Sequence, residues 1–149
     1  MNTDELKRLA EVMDRLRSPG GCPWDAEQTH ESLLKYLLEE SYEYIEAVES
    51  GDREAIKEEL GDLLLQVYFH SRIAEEDPTQ PFSINDVAAS VTKKLISRHP
   101  HVFGDVVANT SAEVKQNWDQ IKNAEKGRTS PIDGVPLGQP ALQLAAKLL

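Results

Sequence analysis

Residues 30–75 read HESLLKYLLEESYEYIEAVESGDREAIKEELGDLLLQVYFHSRIAE, and this stretch decides the fold. Leu34, Leu37, Ser41, Tyr44, Ile45 and Val48 recur at the spacing of one helix face, which predicts a helix from about His30 to Ser50. Ile56, Leu60, Leu63, Leu64 and Val67 predict another, from about Arg53 to Glu75. Only Gly51-Asp52 lies between them, so the second helix should fold back antiparallel on the first. Leu65, Phe69 and Ile73 form a second apolar strip on another side of that helix. A helix apolar on two sides is buried on two sides. In a chain of 149 residues, a partner subunit is the expected second cover.

The same hairpin carries an unusual load of acid. From Glu39 to Asp62 there are ten acids and two bases, which supplies eight of the ten excess negative charges. Two runs stand out, Glu39-Glu40-x-x-Glu43 and Glu58-Glu59-x-x-Asp62. Each sets carboxylates at i and i+3, which share a helix face. Glu43 and Glu59 are each eight residues from Gly51, and Glu40 and Asp62 are each eleven away. Antiparallel packing therefore levels Glu43 with Glu59 and Glu40 with Asp62. The two levels differ by about 4.5 Å along the axis. Four carboxylates converging in this way repel one another unless neutralised. A hard divalent cation resolves the conflict, and an oxygen-only ligand set points to Mg²⁺ or Mn²⁺ rather than zinc. Glu40, Glu43, Glu59 and Asp62 are the candidate metal ligands, bordering the packed side of their helices. Glu39 and Glu58 flank them and are placed to orient or deprotonate a water, with Glu39 the preferred candidate. Glu46, Glu49 and Glu54 read as surface charge.

Outward from the hairpin, the chain remains helical in pattern. Thr3 is placed to cap a first helix carrying Leu6, Leu9, Met13 and Leu16, broken by Ser18-Pro19-Gly20-Gly21-Cys22-Pro23. Asp77-Pro78 ends the long helix. Ser83 with Asp86 opens another, to about Arg98, and His99-Pro100-His101 terminates it. Thr110 with Glu113 forms a capping box ahead of Val114, Trp118 and Ile121. From Gly127 the chain reads as loop through Pro131, Gly134, Pro136, Gly138 and Pro140. Ala141 to Leu149 then begin an apolar helix whose abrupt stop reads as a cut end. The domain is expected over residues 1–126, with 127–149 a linker and the start of a truncated C-terminal segment.

Composition narrows the function further. A formal charge of −10 repels nucleic acid and anionic membrane. No apolar run is long enough to span a bilayer, and Met1 to Arg17 is amphipathic rather than a signal peptide. Cys22 is the one cysteine, so no intramolecular disulfide forms, and a reducing cytoplasm is the expected setting.

Mg²⁺ held by carboxylates commonly retains waters and binds substrate phosphates. Lys94 and Arg98 lie at i and i+4, followed by His99 and His101, and Lys122 lies one turn after Trp118. An indole stacked on a base with a lysine reaching phosphate fits that set. Core packing fits Trp118 as well, and a solvated face fits Lys94 and Arg98. The segment from Cys22-Pro23-Trp24-Asp25 to Gln28-Thr29-His30 follows no general chemical rule: Trp24 either covers a site or pins the loop, and Thr29 reads as a helix cap. There is no Cys-x-x-Cys pair and no Gly-rich phosphate loop.

These motifs, taken in order, resemble the MazG nucleoside triphosphate pyrophosphohydrolases over nearly the whole chain. The shared pieces are Cys22-Pro23-Trp24-Asp25 with Gln28-Thr29, Leu38-Glu39-Glu40-x-x-Glu43, Glu59-Leu60-Gly61-Asp62-Leu63-Leu64, Arg98-His99-Pro100-His101-Val102-Phe103, and Trp118 with Lys122. The resemblance implies an all-α fold: a four-helix-bundle-like core with an extra helix, in the dimeric architecture of all-α NTP pyrophosphohydrolases. It implies hydrolysis of an NTP or dNTP to nucleoside monophosphate and pyrophosphate, as nucleotide-pool house-cleaning. It implies Mg²⁺ at Glu40, Glu43, Glu59 and Asp62, with Glu39 near the nucleophilic water. Lys94, Arg98, Trp118 and Lys122 match positions that handle the nucleotide. Many members carry two tandem copies, and this chain resembles the first copy plus the linker.

Two rivals remain on the sequence. A di-iron site wants Glu-x-x-His on two helices, and the matching positions hold Glu43 and Asp62. The other is a helical dimerisation or regulatory domain with little or no catalysis of its own, which the second apolar strip fits equally well.

Overall fold

Gly51 takes φ +72°, in the left-handed region, and closes one long helix. Asp52 opens the next, its Oδ1 accepting from the backbone N–H groups of Glu54 at 2.9 Å and Ala55 at 3.3 Å. The computed structural model describes residues 4–130 and 132–149, and the two helices joined here are the third and fourth of eight among the described residues. These are α1 (Glu5–Arg17), α2 (Pro23–Glu27), α3 (His30–Ser50), α4 (Arg53–Ala74), α5 (Ile84–Arg98), α6 (Pro100–Phe103), α7 (Ser111–Lys126) and α8 (Ala141–Leu148). Among the described residues no strand occurs, so the all-α expectation holds.

The local signals act where the sequence put them. Thr29 caps α3 reciprocally with Ser32, Ser83 and Asp86 bond to each other's backbone N–H at the start of α5, and Thr110 with Glu113 closes a capping box on α7. Thr3 and Pro131 lie outside the described residues; the α1 cap seen is Asp4, whose Oδ1 accepts from the Lys7 N–H at 3.2 Å. Two short helices depart from expectation. Pro23 and Pro100, read as breakers, each sit in the first turn of a new helix, α2 and α6, where a missing N–H costs nothing.

The chain divides into two compact units, Met1–Ala89 and Ser90–Leu149. In the first, α3 and α4 pack as an antiparallel hairpin, α1 lies against α4, and α2 against α1. Its core is Met13, Leu33 and Phe69, ringed by Leu16, Tyr36, Leu65 and Ile73. The strip of Leu65, Phe69 and Ile73, expected to be the secondary one, is therefore the one buried within the chain. On α3 the inward row is Leu33, Tyr36, Glu40, Tyr44 and Ala47. The stripe expected to pack within the hairpin does so only in part: Ser41, Tyr44, Ile56, Leu63 and Leu64 are half-buried, whereas Leu34, Leu37, Ile45, Val48, Leu60 and Val67 are 37–56% exposed. Periodicity reports that a helix has an apolar side without saying which neighbour covers it. Here α1 covers the aromatic side, and the Leu/Val side stays open.

Arg17, at the C-terminal end of α1, explains the segment that follows no chemical rule. Its side chain is buried and donates from Nη1 to the carbonyls of Asp25 at 2.6 Å and Gln28 at 2.9 Å. Its Nε and Nη2 bond both carboxylate oxygens of Glu76 at 3.1 and 2.7 Å. One guanidinium thus fixes α2 and the residues just past α4 to the end of α1. Gly21 lets the chain turn back so closely because a Cβ there would collide with the carbonyl oxygens of Arg15 and Leu16. Trp24 meets Tyr36 and Phe69 edge-on at 5.8 and 6.4 Å between ring centres, so it pins the loop to the core.

Candidate metal centre

The tight turn at Gly51-Asp52 fixes the register of the hairpin, and the register gathers the acids. Glu40 and Glu43 of α3 and Glu59 of α4 each present a carboxylate oxygen, and all three oxygens lie within 4.8 Å of one another. Asp62, the fourth expected ligand, lies outside that set. Its charge still reaches the cluster and acts on both Glu40 and Glu59. Glu40 lies in the inward row of α3 itself, closer to the packed side than a bordering position.

Burial makes the cluster costly as a bare carboxylate group. One oxygen of Glu40 and one of Glu59, Oε2 in each, is shielded from solvent and has no hydrogen-bond partner. Among the described residues the ion pairs of Lys and Arg engage other acids. Desolvation first, and then the charges of Asp62, Glu43, Glu59 and Glu39, push the Glu40 carboxyl above the usual carboxylate range. Desolvation likewise leads for Glu59, followed by Glu43, Asp62 and Glu58. Buried acceptors without donors, arranged as a convergent all-oxygen set, fit a hard divalent cation. A solvated acidic face has neither feature. Gln66, one turn beyond Asp62, also holds a buried Oε1 without a partner. Sequence reading passed it over because a single Gln within an apolar helix carries no periodic or motif signal.

Glu39 precedes the first ligand and points to solvent on α3, and Glu58 is likewise exposed on α4. Both are open to water at the edge of the cluster.

The residues expected to handle a nucleotide belong to the second unit. Lys94 is exposed on α5. Arg98, the last residue of α5, is buried and paired with Glu125 at 3.1 Å, with its guanidinium carbon 5.3 Å from the centre of the Trp118 ring. His99 meets the same ring edge-on at 5.1 Å. On the α7 side, an open groove of about 660 Å³ is lined by Asn109, Val114, Lys115, Trp118, Lys122 and Lys147, among others. Trp118 and Lys122 therefore share one concave surface, of a size suited to a small ligand. Three lysines and an indole line it together with the acid Asp119, which makes the groove locally basic within an acidic chain. Glu125 and Lys147 were not singled out from sequence. Glu125 sits two turns past Trp118 on α7, a spacing with signal only once Arg98 is known to face it.

Comparison with known proteins places the chain in a family. Residues 28–103 match the family described as the MazG nucleotide pyrophosphohydrolase domain. The chain is 57% identical to an uncharacterized 26.1 kDa protein of Streptomyces cacaoi, an alignment covering 96% of this chain and 59% of that protein. It is 50% identical to a nucleoside triphosphate pyrophosphohydrolase of Mycolicibacterium smegmatis, covering 98% of this chain and 45% of the relative. It is 44% identical to the Escherichia coli K12 protein of the same name, covering 97% and 56%. The chain thus spans about half the length of these curated relatives. A crystal structure of a MazG-related protein from Thermotoga maritima superposes with a TM-score of 0.64 at 28% identity, over 78% of this chain and 98% of that one.

Proposed function

This chain belongs to the MazG nucleotide pyrophosphohydrolase family, and from that premise we propose that it hydrolyses nucleoside triphosphates, ribo or deoxyribo, to the monophosphate and pyrophosphate. The observation that carries the reading is the convergence of Glu40, Glu43 and Glu59 within 4.8 Å, with two of their oxygens buried and unpartnered. These three residues, with Asp62, would hold Mg²⁺, or Mn²⁺ in its place. Bound there, the ion supplies charge neutralisation and polarises the phosphoryl oxygens of the substrate.

The chain's own residues do the remaining work. Glu39 accepts a proton from the attacking water. The new phosphorus–oxygen bond forms as the bond between the α and β phosphates breaks, and the departing group leaves with the bridging oxygen. Trp118 offers a flat face to the base. Lys122, in the same groove, and Lys94 supply positive charge for phosphate, and Arg98 lies against the indole. The substrate choice we infer is broad, because stacking on an indole accepts any base. Such breadth suits removal of aberrant nucleotides from the pool.

The outward stripe of Leu34, Leu37, Ile45, Val48, Leu60 and Val67 supports a homodimer, in which two hairpins complete a four-helix core. Among the described residues no helix is long and apolar enough to cross a membrane. Cys22 is a free thiol, in keeping with a cytoplasmic setting, and a net charge of −10 favours nucleotides over nucleic acid or anionic membrane as partners.

The test is incubation with each common NTP and dNTP in Mg²⁺, with pyrophosphate and orthophosphate measured separately. Pyrophosphate release by the parent, and none by a folded Glu43→Gln variant, is the expected result. A parent that releases no pyrophosphate from any nucleotide overturns the reading and favours a catalytically silent dimerisation domain.

A further inference from the structure

Trp118 is held from one side by Arg98 and His99, and these rest in turn on groups outside the motifs. Arg98 ends α5, where a cation meets the negative end of the helix dipole. Its Nε donates to Oε2 of Glu125 at 3.1 Å, and Nη2 lies 3.1 Å from the same oxygen. The second oxygen, Oε1, accepts from the Ser97 hydroxyl at 2.6 Å. Ser97 first, and then Arg98, hold the Glu125 carboxyl below the usual range. The guanidinium so fixed lies 5.3 Å from the Trp118 ring centre. His99, anchored through Nδ1 to the Leu95 carbonyl at 2.6 Å, meets that ring edge-on.

The chemistry of the pair decides what this does. A guanidinium as buried as that of Arg98 needs a counter-charge, and Glu125 is the one it touches. While the pair stands, the cation cannot leave the ring for a phosphate without abandoning Glu125. If Glu125 is removed, the guanidinium must seek water, and the indole loses the group that lies over its ring. Trp118 and Glu125 are two turns apart on α7, so one helix face carries both the platform and the anchor for its support.

We propose that Glu125 is a positioning residue for nucleotide recognition: it fixes Arg98 against Trp118 and so sets the indole plane on which the base stacks. This rests on the nucleotide reading given above.

The experiment uses a Trp24→Phe background, in which Trp118 is the remaining indole, with Glu125→Ala and the milder Glu125→Gln. Two quantities are measured: KM and kcat for pyrophosphate release from ATP, and quenching of Trp118 fluorescence by α,β-methylene-ATP with Mg²⁺, whose α–β link resists hydrolysis. Glu125→Ala should raise KM and weaken analogue affinity about tenfold, with kcat little changed, and Glu125→Gln should fall between. General loss of structure would instead lower kcat through the active fraction and leave KM alone. Equal KM and equal analogue affinity in parent and variants would overturn the proposal while leaving the activity intact. A parent without hydrolysis overturns the activity, and the titration then judges Glu125 alone: equal affinities, or no binding by the parent, overturn it too.

Discussion

The Nδ1 atoms of His30, at the start of α3, and His70, near the end of α4, face each other at 2.7 Å. The two rings lie within 7° of parallel with centres 5.0 Å apart. Nitrogens on the rims of such rings come this close only by lying between the two centres, so one proton is shared along that line. Nε2 of His70 is buried without a partner, whereas His30 is exposed. The neutral pair therefore places its second proton on Nε2 of His30, because an unpaired buried N–H is harder to tolerate than an unpaired lone pair. Any further proton must go to the buried Nε2 of His70 or break the shared bond.

The pair predicts an acid weakness. Burial first, and then the charge of His30, lower the His70 pKa from its ordinary 6.5. A histidine depressed on folding binds its proton more readily in the unfolded chain. Its neutral form is native at pH above 6.5, and stability is lost as the pH falls below that value toward the depressed one. Urea melts at pH 7.5, 6.5 and 5.5 should show the parent losing stability faster than His70→Leu. Parallel curves would remove the pair as the cause.

The acidic cluster predicts opposite effects on stability and function. In metal-free buffer Glu40→Gln should raise Tm, since it removes one charge from a repelling, partly buried set. Mg²⁺ should raise the Tm of the parent well beyond that of the variant. A ligand at a hundred times its Kd stabilises by about 2.7 kcal/mol, which is several degrees for a chain of this size. A Mg²⁺ response equal in parent and variant would place the ion elsewhere.

Arg17→Met should be among the most damaging single changes. It removes the donor shared by the carbonyls of Asp25 and Gln28 and leaves Glu76 with Arg72 as its remaining cation, and removing one partner of a buried ion pair costs about 3–5 kcal/mol. The partial exposure of Glu76 puts the expectation at the lower end of that range. Urea denaturation measures it, and a loss below about 1 kcal/mol, the worth of a surface pair, would show that Arg17 is not the pin.

The outward stripe predicts assembly. Sedimentation should find the parent as a dimer, and Ile45→Asp with Val67→Asp as a monomer that keeps its helical circular dichroism. A parent that sediments as a monomer at micromolar concentration would leave the stripe without its proposed cover.

Much of this was legible from residue order. Gly51-Asp52 and equal spacing on either side of it placed Glu43 beside Glu59, because helix rise and turn length are nearly fixed quantities. Caps at Ser83 and Thr110 were legible for the same reason: they act over three residues. What failed depended on distant neighbours. The stripe through Leu34 and Ile45 looked like core, yet α1 packs on the other side, and periodicity carries no information about which side a distant helix will choose. Arg17, Glu125 and the His30–His70 pair were missed because each takes its meaning from a partner between 27 and 59 residues away. Pro23 and Pro100 were read as breaks because the rule that admits proline to a first turn needs the helix to be known beforehand.

The connection at Gly51-Asp52 is exposed and touches no catalytic group, yet its length is constrained as tightly as any ligand. One inserted residue there would turn α4 by about 100° and slide it by about 1.5 Å against α3. Glu59 would swing away from Glu40 and Glu43 even though every acid remained in the sequence. Natural variants should therefore tolerate changes of residue type in this connector far better than any change in its number of residues.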